Sequence, residues 1–209
     1  MQTQLTKTEF LSKLKTDIDF NKKYGRKPAT AGKVALPCCH YGFQAYTRVI
    51  RTEDREKLAC EQLGITPQQL NDKYVEYLGS FDAMPTREDL FYDSLNVPKR
   101  RLSIKFHQRS CDSLLGVPFD IASYSILTFM LCKELNMVPD ELIFTGGDCH
   151  IYLNHLDQVE TQLKREPYPN LPKLVLKGET GKSIFDYTYD DFEIVGYEKH
   201  PAIKAPIAV

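Results

Sequence analysis

The sequence predicts an α+β fold, on three observations. Asp120–Leu135 is apolar on nearly all helical faces and reads as one long, buried helix. Val34–Val49, Leu102–Gln108, Glu141–Thr145, Lys173–Leu176 and Phe192–Tyr197 read as extended segments. Helical and extended stretches follow one another in mixed order, which suggests a mostly antiparallel or mixed sheet.

The elements can be justified in turn. Thr8–Ile18 has Phe10, Leu11, Leu14 and Ile18 on one side, as a short amphipathic helix requires. The polar, basic stretch Asn21–Lys33 reads as a loop. Thr52–Arg100 is charged and helical in pattern, with Thr66-Pro67 as a cap-and-start signal, and two or three short helices fit it as a surface insertion. Glu141–Thr145 is expected to end at a Gly146-Gly147 break. Ile151–Lys164 gives a second helix. Repeats and low-complexity tracts are absent, so 1–209 reads as a single domain with 52–100 as a helical insertion.

Composition narrows the function classes. With 42% apolar residues, 209 residues are enough for a real core. A net charge of -1 argues against a nucleic-acid partner, although a local basic cluster is enough for a small anionic substrate. The longest apolar run, Ile121–Cys132, is interrupted by Ser and Thr, so no membrane partner is expected. MQTQLTKTEF carries no signal-peptide core. The six Cys have no secreted-framework spacing, which points to thiols in a reducing cytoplasm. Cys38 and Cys39 are adjacent and no CxxC pair exists, so no metal is expected.

Three segments concentrate chemistry. In Leu36-Pro37-Cys38-Cys39-His40, a Cys beside a His and a basic loop favours the thiolate, while a Cys in an apolar strand also reads as a core thiol. Gln108-Arg109-Ser110-Cys111-Asp112 holds a guanidinium and a hydroxyl suited to phosphate oxygens; an Arg109–Asp112 salt bridge is the structural alternative. In the segment Gly147-Asp148-Cys149-His150-Ile151-Tyr152-Leu153-Asn154-His155, alternate residues of an extended stretch share a face. His150 and Tyr152 then point together at a ligand, unless the polar residues cap a helix start.

LPCCHYGFQ, QRSCDSLLGVPFDIASYSILT, GGDCHIYLNH and a terminal HPAIKAPIAV, in that order, resemble thymidylate synthases over most of the chain outside the insertion. The resemblance implies a thymidylate synthase-like mixed sheet around a long buried central helix, and it implies roles. Cys39, next to His40, would be the nucleophile. Arg109 and Ser110 would hold the nucleotide phosphate, and His150 and Tyr152 the deoxyribose. Asp112 would contact the folate, while Gln108, Leu115, Gly116 and Phe119 would shape the base and folate pockets. Ala208 and Val209 would fold over the bound ligands and shut out water. Thiolate addition at carbon 6 would make carbon 5 of a pyrimidine nucleophilic toward the one-carbon unit of 5,10-methylenetetrahydrofolate. Hydride from the folate would then give a methyl group, and water a hydroxymethyl group.

The chain departs from the family pattern in three ways. Where thymidylate synthases have Asn in GVPFNIASY, this chain has Asp120. A carboxylate accepts from the amino group of cytosine and cannot donate to a uracil carbonyl unless protonated. In this the chain resembles phage dCMP hydroxymethylases, with a helix N-cap as the structural alternative for Asp120. The reading is therefore dCMP hydroxymethylation; the alternatives are dUMP methylation or a non-catalytic or split-enzyme subunit. Second, the family's N-terminal phosphate-binding Arg loop, catalytic Glu and Trp-lined folate wall have no counterpart, and Trp is absent. The expected partners are thus a second copy, as the resemblance implies, or a complementing N-terminal subunit. Third, Lys22-Lys23 stands nearest to the Arg pair that family members lend to the partner's phosphate site.

Overall fold

The computed structural model describes residues 39–79, 88–178, 180–181 and 183–207. The helix expected at Thr8–Ile18, the loop Asn21–Lys33 with Lys22 and Lys23, and the terminal Ala208 and Val209 lie outside the described residues. The chain divides into two compact units, Met1–Tyr41 and Gly42–Val209.

Strands β1 (His40–Val49), β2 (Arg100–Asp112) and β3 (Val138–His150) make a three-stranded sheet in the order β1-β2-β3. β2 and β3 run parallel, while β4 (Lys173–Leu176) and β5 (Phe192–Val195) form an antiparallel pair. Parallel and antiparallel pairing thus both occur in the fold. Between Leu102 and Ile104 the register slips, and Pro139 pairs at the edge of this slip. A proline donates no ladder bond, so an irregular position is where a strand tolerates it.

The period-2 pattern of β2 explains the core. Leu102, Ile104, Phe106 and Gln108 are buried on one face, against helix α4 (Gly116–Glu134). Tyr124 of α4 stacks on Phe106 with centroids 4.2 Å apart, and Phe144 of β3 meets Phe106 at 5.2 Å. Cys132 packs with Leu102 and Ile104. Ser123, Ser125 and Thr128 each donate to the carbonyl four residues back, so these hydroxyls are satisfied within an apolar helix. Asn136, in the left-handed region at φ 48°, ends it.

The helix corrects the sequence expectation in two respects. It begins at Gly116 rather than Asp120, and it is not buried on all faces. Only Thr128 and Cys132 are fully buried, while Phe119, Ile121 and Phe129 are exposed. A single sheet face covers one side of a helix and leaves the other side open. Lys133, near the C-terminal end, donates to the carbonyls of Leu176, Lys177 and Gly178 at 2.7–2.9 Å and so fastens β4 to α4.

Three helices occupy the charged stretch: α1 (Thr52–Leu63), α2 (Pro67–Gly79) and α3 (Glu88–Ser94). Thr66 and Gln69 exchange side-chain and backbone hydrogen bonds, a capping box that starts α2 beside Pro67. Ala59, Leu70, Phe91, Tyr92 and Val97 form a separate small core. Arg55 is buried beneath it and bonded to Asp93 at 2.8 Å and to the Val97 carbonyl at 2.9 Å.

Gly146-Gly147 does not break β3, contrary to expectation; the strand continues to His150. A Cβ at 147 would lie 2.8 Å from the backbone oxygen of Arg109, and one at 146 would lie 2.4 Å from Cys149 Sγ. Gly147 permits close approach of β2 and β3, and Gly146 leaves room for neighbouring side chains; neither makes a turn. Beyond β3, a short 3-10 turn (Leu153–His155) leads into α5 (Leu156–Leu163), where the sequence predicted one helix.

Candidate functional site

Parallel pairing of β2 with β3 brings two of the three chemical segments side by side. Ser110 pairs with Asp148, Cys111 with Cys149 and Asp112 with His150. Register partners lie on the same face of the sheet, so Ser110, Asp112, Asp148 and His150 cluster at one strand end. Arg109, in the same run, is exposed. Substitution of the glycine opposite it would push the two strand ends apart.

α4 brings a third group to this end. Gln108, only 3% exposed, donates from Nε2 to Asp120 Oδ2 at 2.8 Å. Its Oε1 is buried with no hydrogen-bond partner among the described residues. Asp120 lies one turn inside the helix, which removes the N-cap alternative; the N-cap position is Leu115. Asp112 turns the chain from β2 into α4, its Oδ1 accepting from the backbone N–H groups of Leu114 and Leu115 at 3.1 and 3.2 Å. Gly116 opens the helix, and Phe119 presents a ring that is 74% exposed.

The end of β3 leads into the remaining residues. The His150 ring contacts Tyr152 edge-on with centroids 4.8 Å apart, and Nδ1 of His150 lies 3.1 Å from the Asp148 carbonyl oxygen. Tyr152 in turn meets His155 at 5.5 Å. The sequence places His155 at the end of the GGDCHIYLNH motif without suggesting a role for it. It is fully buried and donates from Nε2 to the Pro206 carbonyl at 2.6 Å. Gln158 of α5 donates to the Lys204 carbonyl, and Arg165, just beyond α5, to that of Pro201, so these side chains and His155 together hold the C-terminal segment.

Cys39 is half-buried and directly precedes β1, whose first residue is His40; both belong to the first unit. Lys22, Lys23, Ala208 and Val209 are outside the described residues. No cluster of three or more His, Cys, Asp or Glu among the described residues is arranged to hold a metal, and no described helix is long and apolar enough to cross a membrane.

The family comparison covers the same strands and helix. Residues 89–209 match the thymidylate synthase family model. The matched stretch contains β2, α4, β3 and the C-terminal segment, and it begins inside α3; Cys39 and His40 precede it. As the match covers more than half of the 209 residues, the chain belongs to the thymidylate synthase family.

Proposed function

We propose that the protein is a transferase that hydroxymethylates carbon 5 of dCMP, with 5,10-methylenetetrahydrofolate as the one-carbon donor. Membership of the family supports one-carbon transfer to a pyrimidine deoxynucleotide monophosphate. The observation that carries the choice of base is the hydrogen bond from Gln108 to Asp120. An amide donor on Oδ2 makes Asp120 an acceptor and leaves Oδ1 to take a second donor. The exocyclic amino group of cytosine is such a donor, whereas the corresponding oxygen of uracil is not. The buried Oε1 of Gln108 is a further acceptor without a partner among the described residues, and an N–H donor would relieve its desolvation cost.

The other roles follow the cluster. Arg109 and Ser110 supply a guanidinium and a hydroxyl for the nucleotide phosphate, and His150 and Tyr152 reach the deoxyribose. Asp112 uses one oxygen to fix the turn into α4; its other oxygen accepts from the folate. Leu115, Gly116 and the exposed Phe119 give the folate an apolar surface. Cys39 adds to carbon 6 with His40 beside it, a role supported by the LPCCHYGFQ motif. Lys22 and Lys23 add charge for the phosphate, and Ala208 and Val209 cover the bound ligands. The partner is a second copy of the chain or a complementing N-terminal subunit, and the setting is cytoplasmic.

One observation favours a second reading, methylation of dUMP. His155 holds Pro206 in place directly before the terminal Ile207-Ala208-Val209, and a fixed tail helps exclude water from the methylation step. Tritium release from carbon 5 of dCMP and dUMP, with mass spectrometry of the product, separates the two. Release from dCMP with a hydroxymethyl product is expected; release from dUMP alone would overturn the cytosine reading.

A further inference from the structure

We propose that Cys111 and Cys149 are a modification site, a thiol pair that peroxide converts reversibly into a disulfide joining β2 to β3. Neither cysteine carries a role in the proposed transfer reaction. The two are register partners on the parallel strands. Adjacent strands lie about 4.8 Å apart, inside the Cα separation of about 4.4–6.8 Å that a disulfide spans. Their sulfurs also share one neighbour. The position a Cβ would take at Gly146 is 2.4 Å from Cys149 Sγ and 3.1 Å from Cys111 Sγ. Any side chain at 146 would fill the space between the two sulfurs; glycine leaves it to them. Cys60 lies in α1 and Cys132 in α4, so strand pairing singles out 111 and 149.

The two thiols differ in access, and this assigns their order of reaction. Cys149 is exposed and Cys111 is buried, its Sγ donating to the Gln108 carbonyl at 3.5 Å. The Cys149 thiolate attacks one oxygen of hydrogen peroxide. The O–O bond breaks, hydroxide leaves and takes up a proton as water, and Cys149 becomes a sulfenic acid. Cys111 Sγ then attacks the Cys149 sulfur. The S–S bond forms, the S–O bond breaks, and the hydroxyl departs with the Cys111 proton as a second water. In sum, two thiols and one peroxide give one disulfide and two waters, and two electrons pass from sulfur to oxygen. A dithiol reverses the change by exchange, as suits a transient bridge in a reducing compartment.

The bridge acts where the strand ends carry chemistry. Cys111 stands between Ser110 and Asp112, and Cys149 between Asp148 and His150. Disulfides favour a Cα separation of about 5.5–6 Å, so closing one across paired strands spreads them by on the order of 1 Å. The hydrogen bond from the Ser113 N–H to the His150 carbonyl, at 3.0 Å, lies just beyond the pair and has to adjust. Ser110 and Arg109 then shift relative to His150. The pair itself stands on the strand register and on Gly146; only its effect on nucleotide binding rests on the roles proposed above for Arg109, Ser110 and His150.

The test treats the folded full chain with hydrogen peroxide, blocks the remaining thiols with iodoacetamide in denaturant, and maps peptides by mass without reduction. A linked peptide pair containing Cys111 and Cys149 is expected, and dithiothreitol should separate it. In Cys111→Ala the second step is lost, so dimedone should trap more sulfenic acid at Cys149 than in the parent. Cys149→Ser, at an exposed position, should keep the parent's far-UV spectrum and form no link. Binding of dCMP and dUMP is measured in a Cys39→Ser background, so that oxidation of that thiol does not enter. Peroxide should weaken nucleotide binding at least about tenfold there, since a displacement of about 1 Å at positioned groups is enough, and should leave Cys39→Ser/Cys149→Ser within about twofold. The pair is overturned if the folded chain links other cysteines in its place, if the link forms only after unfolding, or if dimedone labels Cys149 no more in Cys111→Ala than in the parent. A link that leaves nucleotide affinity unchanged overturns its effect on the site. If the reduced protein binds neither nucleotide, the reading of the site fails, while the linked peptide still decides the pair.

Discussion

Gln108 Nε2 donates to Asp120 Oδ2 at 2.8 Å, joining the buried face of β2 to the second turn of α4. The contact ties the carboxylate proposed above to read the base to the strand that carries Arg109 and Ser110. Asp120→Asn exchanges an acceptor for a group that both donates and accepts. The ratio of kcat/KM for dUMP over dCMP should rise by about a hundredfold or more, because mispaired buried polar groups discriminate strongly. An unchanged ratio would show that Asp120 does not read the base. Gln108→Leu should lower kcat/KM for dCMP while leaving the apolar packing of β2 largely intact.

Gly147 and Arg109 make a second prediction. A methyl group at 147 meets the Arg109 carbonyl at 2.8 Å, and this neighbour is backbone that cannot rotate away. Gly147→Ala should cost about 1–3 kcal/mol, the usual range for overpacking. It should also raise KM for the nucleotide, since the strand end with Arg109 and Ser110 must shift. Denaturant titration and steady-state kinetics measure the two effects; a variant as stable as the parent would mean the strands are not so close.

The strands were largely legible because their burial alternates. Leu102, Ile104, Phe106 and Gln108 mark the inner face of β2 without any knowledge of its neighbours. In isolation Gly146-Gly147 resembles a turn, because two residues without side chains break a pattern; the reason for Gly147 is Arg109, 38 residues away in sequence, and that for Gly146 is the crowding of Cys149, Phe144 and Cys111 side chains. Apolarity all round α4 gave its helical state but not which side is covered. The candidate site was legible as residue types in ordered motifs. Its assembly was not, because Ser110 meets Asp148 only through the parallel register. His155 was overlooked because its partner is a backbone carbonyl, which no side-chain pattern announces.

Asp140 gives a pH-dependent prediction. The hydrogen bonds from Arg48, at 2.6 and 2.8 Å, are the main cause that holds its carboxyl below the ordinary value of 3.8. A depressed folded-state pKa contributes stability above the unfolded value, and this is lost as pH falls through the folded one. The denaturation midpoint of the parent should therefore exceed that of Asp140→Asn at neutral pH. The gap should close as pH drops below 3.8. A gap that persists in strong acid would assign the effect to packing instead.

Burial raises the Cys132 thiol to about 11, while Cys149 is exposed. The thiolate is the reactive form, so at pH about 8 an alkylating agent should modify Cys149 readily and leave Cys132 intact until the protein is unfolded. Peptide mass mapping over time reads this directly. Equal rates at the two positions would mean that α4 does not seal against Leu102 and Ile104 as described.

The last prediction concerns the tail. Since the Pro206 carbonyl only accepts, His155 must carry its proton on Nε2, and its buried Nδ1 has no partner among the described residues. His155→Phe keeps an aromatic ring beside Tyr152 but leaves the Pro206 carbonyl without its donor. The cost should be about 1–3 kcal/mol, the penalty of an unsatisfied buried acceptor. Because Gln158 and Arg165 still hold Lys204 and Pro201, the chain should loosen mainly beyond Lys204. Carboxypeptidase should then remove the terminal residues faster from the variant than from the parent, with the far-UV spectrum unchanged. If the proposed closure over the ligands is correct, the same variant loses more in kcat than in nucleotide affinity. Equal digestion rates would mean that His155 stabilises the fold without holding the tail.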